Sequence, residues 1–340
     1  MNVVIFGGAG FIGLHFTNYL LEKNLAKHIF LADIKKREPS LHFKINPTLW
    51  QERVTVPDTI DVRRCIEKKH FPEKIDLIIN LAAIHREPGH KHNEYFETNI
   101  LGAQNVTAFA EEVDCTQIIF TSSISPYGRS DFGKDENSLT EPLTAYGSSK
   151  LVAEKVHLIW QAKEQQIRKL IIVRPGVVFG PGEGGNVSRM IKAIIKGYFF
   201  YTGNKKTIKA GGYIKELCNT IAWAQNKQIS DNENVILYNF STYPIPSMQD
   251  FTETVQQVAG INRKIFSVPH ILLWSIAYIL EILLKPLKIS HPFSPVRLDK
   301  LIRPNNIKPS FLLEKGYVPL YTLQSAMEDW KQECEKEWQA

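Results

Sequence analysis

Short, largely apolar runs alternate with amphipathic stretches through the first half of the chain. Val3–Phe6, Ile29–Ala32, Ile75–Ala83 (IDLIINLAA), Ile118–Ser123 (IIFTSS) and Leu170–Arg174 lack the polar alternation of a half-exposed strand. They read as strands buried on both faces, with Arg53–Val56 as a further short one. Between them, Leu14, Thr17, Leu20 and Leu21 recur at helical spacing. Asn99–Glu112 is amphipathic in the same sense, and a stretch from Tyr146 continues through Val152, Val156 and Ile159. Strands alternating with helices of this length predict an α/β fold with a doubly wound parallel sheet. After Pro175 the pattern loosens into shorter mixed elements: helices at Val187–Lys196, Lys215–Gln225 and Ser247–Gly260, and strands at Thr207–Tyr213 and Ile236–Phe240. This predicts a first domain over 1–175 and a smaller mixed α/β C-terminal substrate domain over 176–340, with some segments returning to the first.

The turn after the first strand changes the picture. Gly7-Gly8-Ala9-Gly10-Phe11-Ile12-Gly13 leads directly into the first helix, and the second strand ends in Asp33, twenty residues after Gly13. Strand, glycine turn, helix, strand and acid in that order make a Rossmann-like dinucleotide fingerprint. Missing side chains admit a pyrophosphate to the helix N-terminus, and the carboxylate accepts hydrogen bonds from a ribose 2′-hydroxyl while repelling a 2′-phosphate. The expected cofactor is therefore NAD rather than NADP, although Lys35, Lys36 and Arg37 follow the acid.

Candidate chemistry lies further on, in LTAYGSSKL. Tyr146 and Lys150 are four apart and share a helix face. A neighbouring cation favours the phenolate, which predicts a tyrosine usable as a general acid or base near neutrality. In open parallel sheets ligands bind at the carboxyl ends of the strands, where Ala82-Ala83, Ser122-Ser123 and Pro175-Gly176 fall.

Composition adds bounds. The 340 residues, 44% hydrophobic and 22% charged, are enough for a large buried core in a soluble globular chain. A net charge of +6 suits phosphate-bearing substrates or an anionic membrane surface and gives no indication of nucleic acid. Cys65, Cys115, Cys218 and Cys334 are scattered without a Cys-x-x-Cys, as expected of reduced thiols in a cytoplasmic protein, and nothing at Met1-Asn2 resembles a signal peptide. His85, His90 and His92 lack carboxylate or thiol partners at ligand spacing, so no metal is expected. Ser123 has no Gly-x-Ser-x-Gly elbow around it, which excludes that hydrolase type.

GGAGFIG, Asp33, Asp61-Val62, NLAA, TNILGAQNV, FTSSISPYG, YGSSK and RPGVVFGPG occur in the order of the extended short-chain dehydrogenases/reductases. More narrowly, the chain resembles their NAD-dependent sugar epimerase/dehydratase group, from Met1 to about Trp330. LAAIHRE, GNVSRMIKAI and SPVRLDKL point within it to members acting on N-acetylhexosamine carried on polyprenyl diphosphate, in surface-polysaccharide (O-antigen) assembly. The resemblance implies that Gly7, Gly10, Phe11 and Ile12 hold the pyrophosphate and Asp33 the adenosine ribose. It implies that Asp61 and Val62 flank the adenine, that Leu81, Ala82 and Ala83 line the cleft, and that Pro175 passes the nicotinamide. Ser123, Tyr146 and Lys150 match the catalytic triad, with Asn99 in a supporting structural role. The implied reaction is C4 epimerisation of a diphosphate-linked sugar, on a polyprenol or on UDP, through a 4-keto sugar. The alternative is an NAD(P)-dependent 4-keto-sugar reductase or a 3β-hydroxysteroid-dehydrogenase-like oxidoreductase. The resemblance also implies a homodimer through helices 99–112 and 146–161.

Several positions depart from the family pattern. Val177 stands where a substrate-contacting Asn is common, and Lys209 where an Arg is favoured; a lysine meets phosphate without the bidentate fork. Lys215-Glu216 replaces the usual acidic pair. Asn186 fits a substrate-contact Asn, and His85 is expected to reach the substrate from the end of its strand. The 180–185 loop (GPGEGG) is expected to be mobile rather than a second phosphate cradle. The segment 270–285 (HILLWSIAYILEILLK) is too short to span a bilayer and is interrupted by Glu281. It reads either as a buried helix or as an interfacial element over 270–288, with Trp274 and Tyr278 at the surface and Lys285 and Lys288 near headgroups. The latter would place the protein peripherally at the inner face of the cytoplasmic membrane.

Overall fold

The computed structural model describes residues 1–35, 45–71, 74–87, 89–269, 271–275, 278 and 302–339. In chain order its strands are β1 (Asn2–Phe6), β2 (His28–Ala32), β3 (Val54–Thr55), β4 (Leu77–Asn80), β5 (Gln117–Thr121), β6 (Ser130–Lys134), β7 (Lys169–Pro175), β8 (Val177–Phe179), β9 (Tyr201–Thr202), β10 (Gly211–Tyr213), β11 (Val235–Phe240), β12 (Ser267–Val268) and β13 (Asn305–Ile307). Its helices are α1 (Phe11–Glu22), α2 (Pro47–Arg53), α3 (His92–Glu112), α4 (Ala145–Ala162), α5 (Asn186–Lys196), α6 (Ile214–Ser230), α7 (Met248–Ala259), α8 (Ser310–Glu314) and α9 (Leu323–Glu333).

A seven-stranded sheet in the order β11-β7-β5-β4-β1-β2-β3, parallel throughout, forms the centre. Successive side chains of a strand point to opposite faces, and β1 divides accordingly. Val3 and Ile5 join the core under α1 and α6, while Val4 and Phe6 join the core under α3 and α4. Both faces are covered, which is why these strands are continuous apolar runs. Strand order reverses between β1 and β4, so a crevice opens outside their carboxyl ends.

Several elements differ from expectation. Val235–Phe240 is the edge strand of the main sheet, paired with β7, rather than part of a separate small domain. Ile236, Tyr238 and Phe240 pack into the same core as α1 and α6, a placement that its apolar pattern alone does not distinguish from a small-domain strand. Of Thr207–Tyr213 only the last three residues form a strand, because Ile208 and Lys209 are taken up in isolated bridges to Ser247 and Asn305. α3 begins seven residues early, at His92, since Tyr95 and Asn99 are buried one turn apart behind a polar exterior. β4 stops at Asn80, where the side-chain oxygen of Asn80 accepts the Ala82 N–H (3.3 Å) and starts the backbone toward the crevice. Lys36, Arg37, Lys285, Lys288 and most of segment 270–285 lie outside the described residues. Residues 271–275 of that segment are helical.

Candidate active site

The glycine turn after β1 is built for close approach. Gly7 has φ +76°, and a Cβ there would lie 2.8 Å from the Ala82 nitrogen. Gly13 is closed by the Gly8 carbonyl, whereas at Gly10 the nearest atom to an added Cβ is the turn's own Gly7 oxygen at 3.1 Å. Gly10 is the N-cap of α1 and supplies no side-chain oxygen, and no acid occupies the first turn. The α1 ladder starts at the Leu14 N–H, which donates to the Gly10 carbonyl at 3.0 Å. The N–H groups of Phe11 and Ile12 therefore precede the ladder and point where a phosphate would sit. Asp33 fixes the turn from β2 by accepting from the Ala9 N–H (3.1 Å) and the Lys35 N–H (3.1 Å).

Beside the end of β2 a cavity of about 500 Å³ is lined by Ile34, Ile60, Asp61, Arg63 and Arg64 among others. Arg63 grips both Asp61 oxygens (2.9 and 2.7 Å) and holds that carboxyl below its ordinary range. Val62 is buried against Gly102 of α3, and its carbonyl accepts from Asn105 (2.7 Å). Leu81, Ala82 and Ala83 follow β4 across the crevice from the turn, and Pro175 ends β7, its carbonyl accepting the Ile124 N–H at 3.1 Å. These residues fit a dinucleotide.

α4 carries the candidate reacting centre. Thr144 caps it by accepting the Gly147 N–H at 3.1 Å, which places Tyr146 in the first turn beside the loop after β5. The Ser123 hydroxyl lies near enough to the Tyr146 phenol to favour its ionised form, and its Oγ accepts from the Ser125 N–H and donates to the Ser125 hydroxyl, both at 3.1 Å. The neighbouring Ser122 hydroxyl donates instead to Glu154. Lys150 is buried, its Nζ 2.5 Å from the Thr121 carbonyl and 4.3 Å from the centre of the Phe120 ring. Burial pushes the Tyr146 phenol up to about 12, against a smaller lowering by Ser123. This corrects the expectation that Lys150 holds the phenol down. Desolvation outweighs the rest, and burial lowers Lys150 itself to about 7. Asn99 bridges the site's walls: its oxygen accepts from the Ile84 N–H (2.9 Å), and its amide donates to Ser149 (2.9 Å), which donates to the Tyr146 carbonyl (2.8 Å).

Sequence reasoning missed what lies behind Lys150. Glu154, one turn further along α4, is buried with Arg174 of β7 in a bidentate pair (2.8 and 2.6 Å), and Ser122 adds a third bond. The Arg174 guanidinium also covers the Tyr127 ring at 4.8 Å. The i, i+4 spacing of Lys150 and Glu154 was the signal available.

The substrate-side residues are scattered by comparison. His85 lies in the loop that follows β4; desolvation first, then the charges of Arg86 and Lys150, lower its pKa. Val177 opens β8, and its N–H donates to the Ala210 carbonyl (3.0 Å), which sets it beside Lys209. The Lys209 ammonium donates to the Arg303 carbonyl (2.5 Å), and burial lowers it to about 8. Asn186 is exposed at the start of α5, with its oxygen accepting from Arg189 (2.7 Å). Lys215 pairs with Asp329 and Glu333, and Glu216 accepts from Tyr317, which ties α6 to the C-terminal segment. The 180–185 loop, expected to be mobile, is held by His15 on the Pro181 carbonyl (2.9 Å), Glu337 on the Gly182 N–H (3.2 Å) and Glu183 on Ser188 (2.6 Å). All four cysteines are free thiols, and among the described residues no three His, Cys, Asp or Glu side chains converge as for a metal.

A parallel sheet with a glycine-lined crevice at its switch point, and a Ser–Tyr–Lys set at the same edge, defines an NAD-dependent enzyme acting at an alcohol carbon. The chain belongs to the NAD dependent epimerase/dehydratase family, whose pattern matches residues 3–236, and NAD is its cofactor. It is 29% identical over 329 residues to the N-acetyl-alpha-D-glucosaminyl-diphospho-ditrans,octacis-undecaprenol 4-epimerase of Escherichia coli O157:H7, covering 96% of this chain and 93% of that one. It is 24% identical over 357 residues to a sterol-4-alpha-carboxylate 3-dehydrogenase of Candida albicans, covering 98% of each. Among solved structures, a UDP-glucose 4-epimerase of Thermotoga maritima with UDP-glucose superposes with a TM-score of 0.74 at 17% identity, over 100% of each chain. A UDP-glucuronic acid 4-epimerase of Bacillus cereus with NAD gives 0.71 at 18%, again over 100% of each. At these identities the two structures speak for the fold.

Proposed function

We propose that this protein is an NAD-dependent C4 epimerase of an N-acetylhexosamine linked through diphosphate to a polyprenol. The observation that carries this reading is the gathering of Ser123, Tyr146 and the buried Lys150 beside the end of β5, at the mouth of the dinucleotide crevice. Tyr146 takes the proton of the sugar C4 hydroxyl and later returns it. Ser123 holds the reacting oxygen and the phenol in line, and Lys150 supplies positive charge below them. Bound NAD supplies the acceptor, and then the donor, of the hydride exchanged with C4. The N–H groups of Phe11 and Ile12 hold its pyrophosphate, Asp33 its ribose, and Asp61 with Val62 its adenine. Turning the 4-keto sugar over before reduction inverts the centre. The lipid carrier is favoured over UDP by the long match to the polyprenol-diphosphate relative, by Val177, and by a Lys209 ammonium bound to the Arg303 carbonyl.

A panel of polyprenyl-linked and UDP-linked N-acetylglucosamine, each with added NAD, tests the reading. Interconversion to the galacto sugar without net NADH is expected, faster on the lipid-linked substrate, and Tyr146→Phe should abolish it while NAD still binds. Stoichiometric NADH would instead establish the dehydrogenase/reductase reading, which the long match to the sterol dehydrogenase favours.

The quaternary and cellular readings belong to the same proposal. The protein is a homodimer through α3 and α4, and it acts in the cytoplasm with peripheral contact at the membrane through 270–288. Among the described residues no helix is long and apolar enough to cross a membrane. Residues 1–175, joined by α6 and β11, form the cofactor side, and much of 176–340 forms the substrate side.

A further inference from the structure

Charge along this chain is unevenly placed. Residues 184–215 and 254–280 together carry nine lysines and arginines and no aspartate or glutamate, against +6 for the whole chain, which leaves the remainder at −3. The fold brings these two acid-free segments together. The Arg263 guanidinium donates to the Ile195 carbonyl (3.0 Å) at the end of α5 and lies against Gly197. The Tyr201 N–H donates to the Phe266 carbonyl (2.9 Å) and the Gly203 N–H to that of Val268 (3.0 Å), pairing β9 with β12.

Two of the nine cations are engaged elsewhere: Lys215 with Asp329 and Glu333, and Lys209 with the Arg303 carbonyl. The other seven are exposed. Arg189, Lys192 and Lys196 lie along one face of α5, opposite buried Val187, Ile191, Ile194 and Ile195. Lys205 and Lys206 follow β9, and Arg263 and Lys264 precede β12. Between and beyond them stand exposed apolar side chains: Tyr198 (63% exposed), Phe266 (65%), Ile271 (68%) and Leu272 (54%), then Trp274 stacked on Tyr278 at 5.5 Å. The acids of neighbouring α7 are turned to local bonds, Asp250 capping Ser247 and Glu253 accepting from Gln249.

We propose that this face, built by α5, the 203–206 turn and residues 263–269 and 271–274, docks on an anionic phospholipid bilayer. Exposed Ile271 and Leu272 gain more from an acyl-chain boundary than from the phosphates of a nucleic acid, and seven cations without acids match a lipid surface of opposite charge. Basic residues flanking apolar and aromatic ones fit the boundary between headgroups and acyl chains. The proposal deepens the membrane contact proposed above and rests on it. It moves the main attraction from the apolar segment alone to the α5 face.

Co-sedimentation of the full chain with vesicles tests it, using pure phosphatidylcholine against a mixture containing phosphatidylglycerol, at low and high salt. Binding is expected on the anionic vesicles and should weaken with salt. Lys196→Gln/Lys206→Gln/Lys264→Gln should lower the partition coefficient on the order of 100-fold, each cation near the surface counting about fivefold. Equal binding to both vesicle types, an unchanged triple variant, or binding to DNA in place of vesicles would each overturn the proposal. Turnover of detergent-dispersed substrate is measured in parallel and should be the same in wild type and triple variant. Loss of turnover in both proteins would count against the epimerase reading, whatever the vesicles show.

Discussion

At the level of single residues, the site is governed by burial more than by the proximity of its charges. Tyr146 and Lys150 are one turn apart, yet desolvation raises the phenol and lowers the ammonium, so each disfavours its charged form. The phenol therefore remains a proton donor across the working range. Taking the substrate proton demands positive charge beside the phenol, which Lys150 supplies when protonated. Lys150 also leaves a trace in stability. Its pKa falls from 10.5 to about 7 on folding. Between those values the unfolded chain holds a proton that the folded protein has released, so stability rises with pH across that window. Below 7 the cost of the buried ammonium is present in full. Lys150→Met should therefore gain most against wild type, in the apoprotein's Tm, near pH 6, and the difference should shrink toward pH 9. A pH-independent difference would show that Lys150 does not titrate in the folded protein.

At the level of elements, the reacting centre depends on how α4 is fastened to the sheet. Glu154 and Arg174 cross from α4 to β7 with both groups almost wholly buried, and Ser122 brings in the end of β5. Removing one partner from such a pair leaves a buried charge uncompensated. Glu154→Gln should cost about 3–5 kcal/mol in denaturant unfolding, whereas Ser122→Ala should cost only about 1 kcal/mol. A loss below about 1 kcal/mol for Glu154→Gln would mean that water reaches the pair.

This fastening also marks where reading the sequence stops. The apolar runs made the strands legible, because a strand covered on both faces carries no polar alternation to confuse it. The glycine turn was legible because close backbone approach admits no side chain. Glu154 and Arg174 were not, since two charged residues twenty apart look like surface positions until the fold buries them together. β11 is a segment of the second region that returns to the main sheet, and its sequence does not announce this for a related reason: a short apolar strand fits a small domain or a sheet edge equally well until its partner is known. Lys209 points to phosphate by standing where the family favours an Arg, and only the packing of residues 303–305 beside it brings the Arg303 carbonyl to its ammonium.

At the level of the whole molecule, α3 and α4 pack side by side and turn apolar side chains outward. Val152 and Ile159 are seven apart on α4 and share its outer face, with Ile159 62% exposed, and Leu101 is exposed on α3. The inner faces of the same helices carry Asn99, Ser149, Tyr146 and Lys150. A partner that covered the outer faces would hold both active-site helices from behind, linking assembly to the geometry of the phenol. Scattered exposed apolar residues are ordinary on a protein surface; three on adjacent helices that pack together form a patch. If this is the dimer interface, Leu101→Glu/Ile159→Glu buries two carboxylates per subunit against apolar neighbours and should shift the protein from dimer to monomer in light scattering at micromolar concentration. The monomer should retain NAD binding, since the glycine turn and Asp33 lie across the sheet, but lose turnover as the first turn of α4 loosens. A double variant that stays dimeric would place the interface elsewhere. A monomer with full turnover would separate assembly from catalysis.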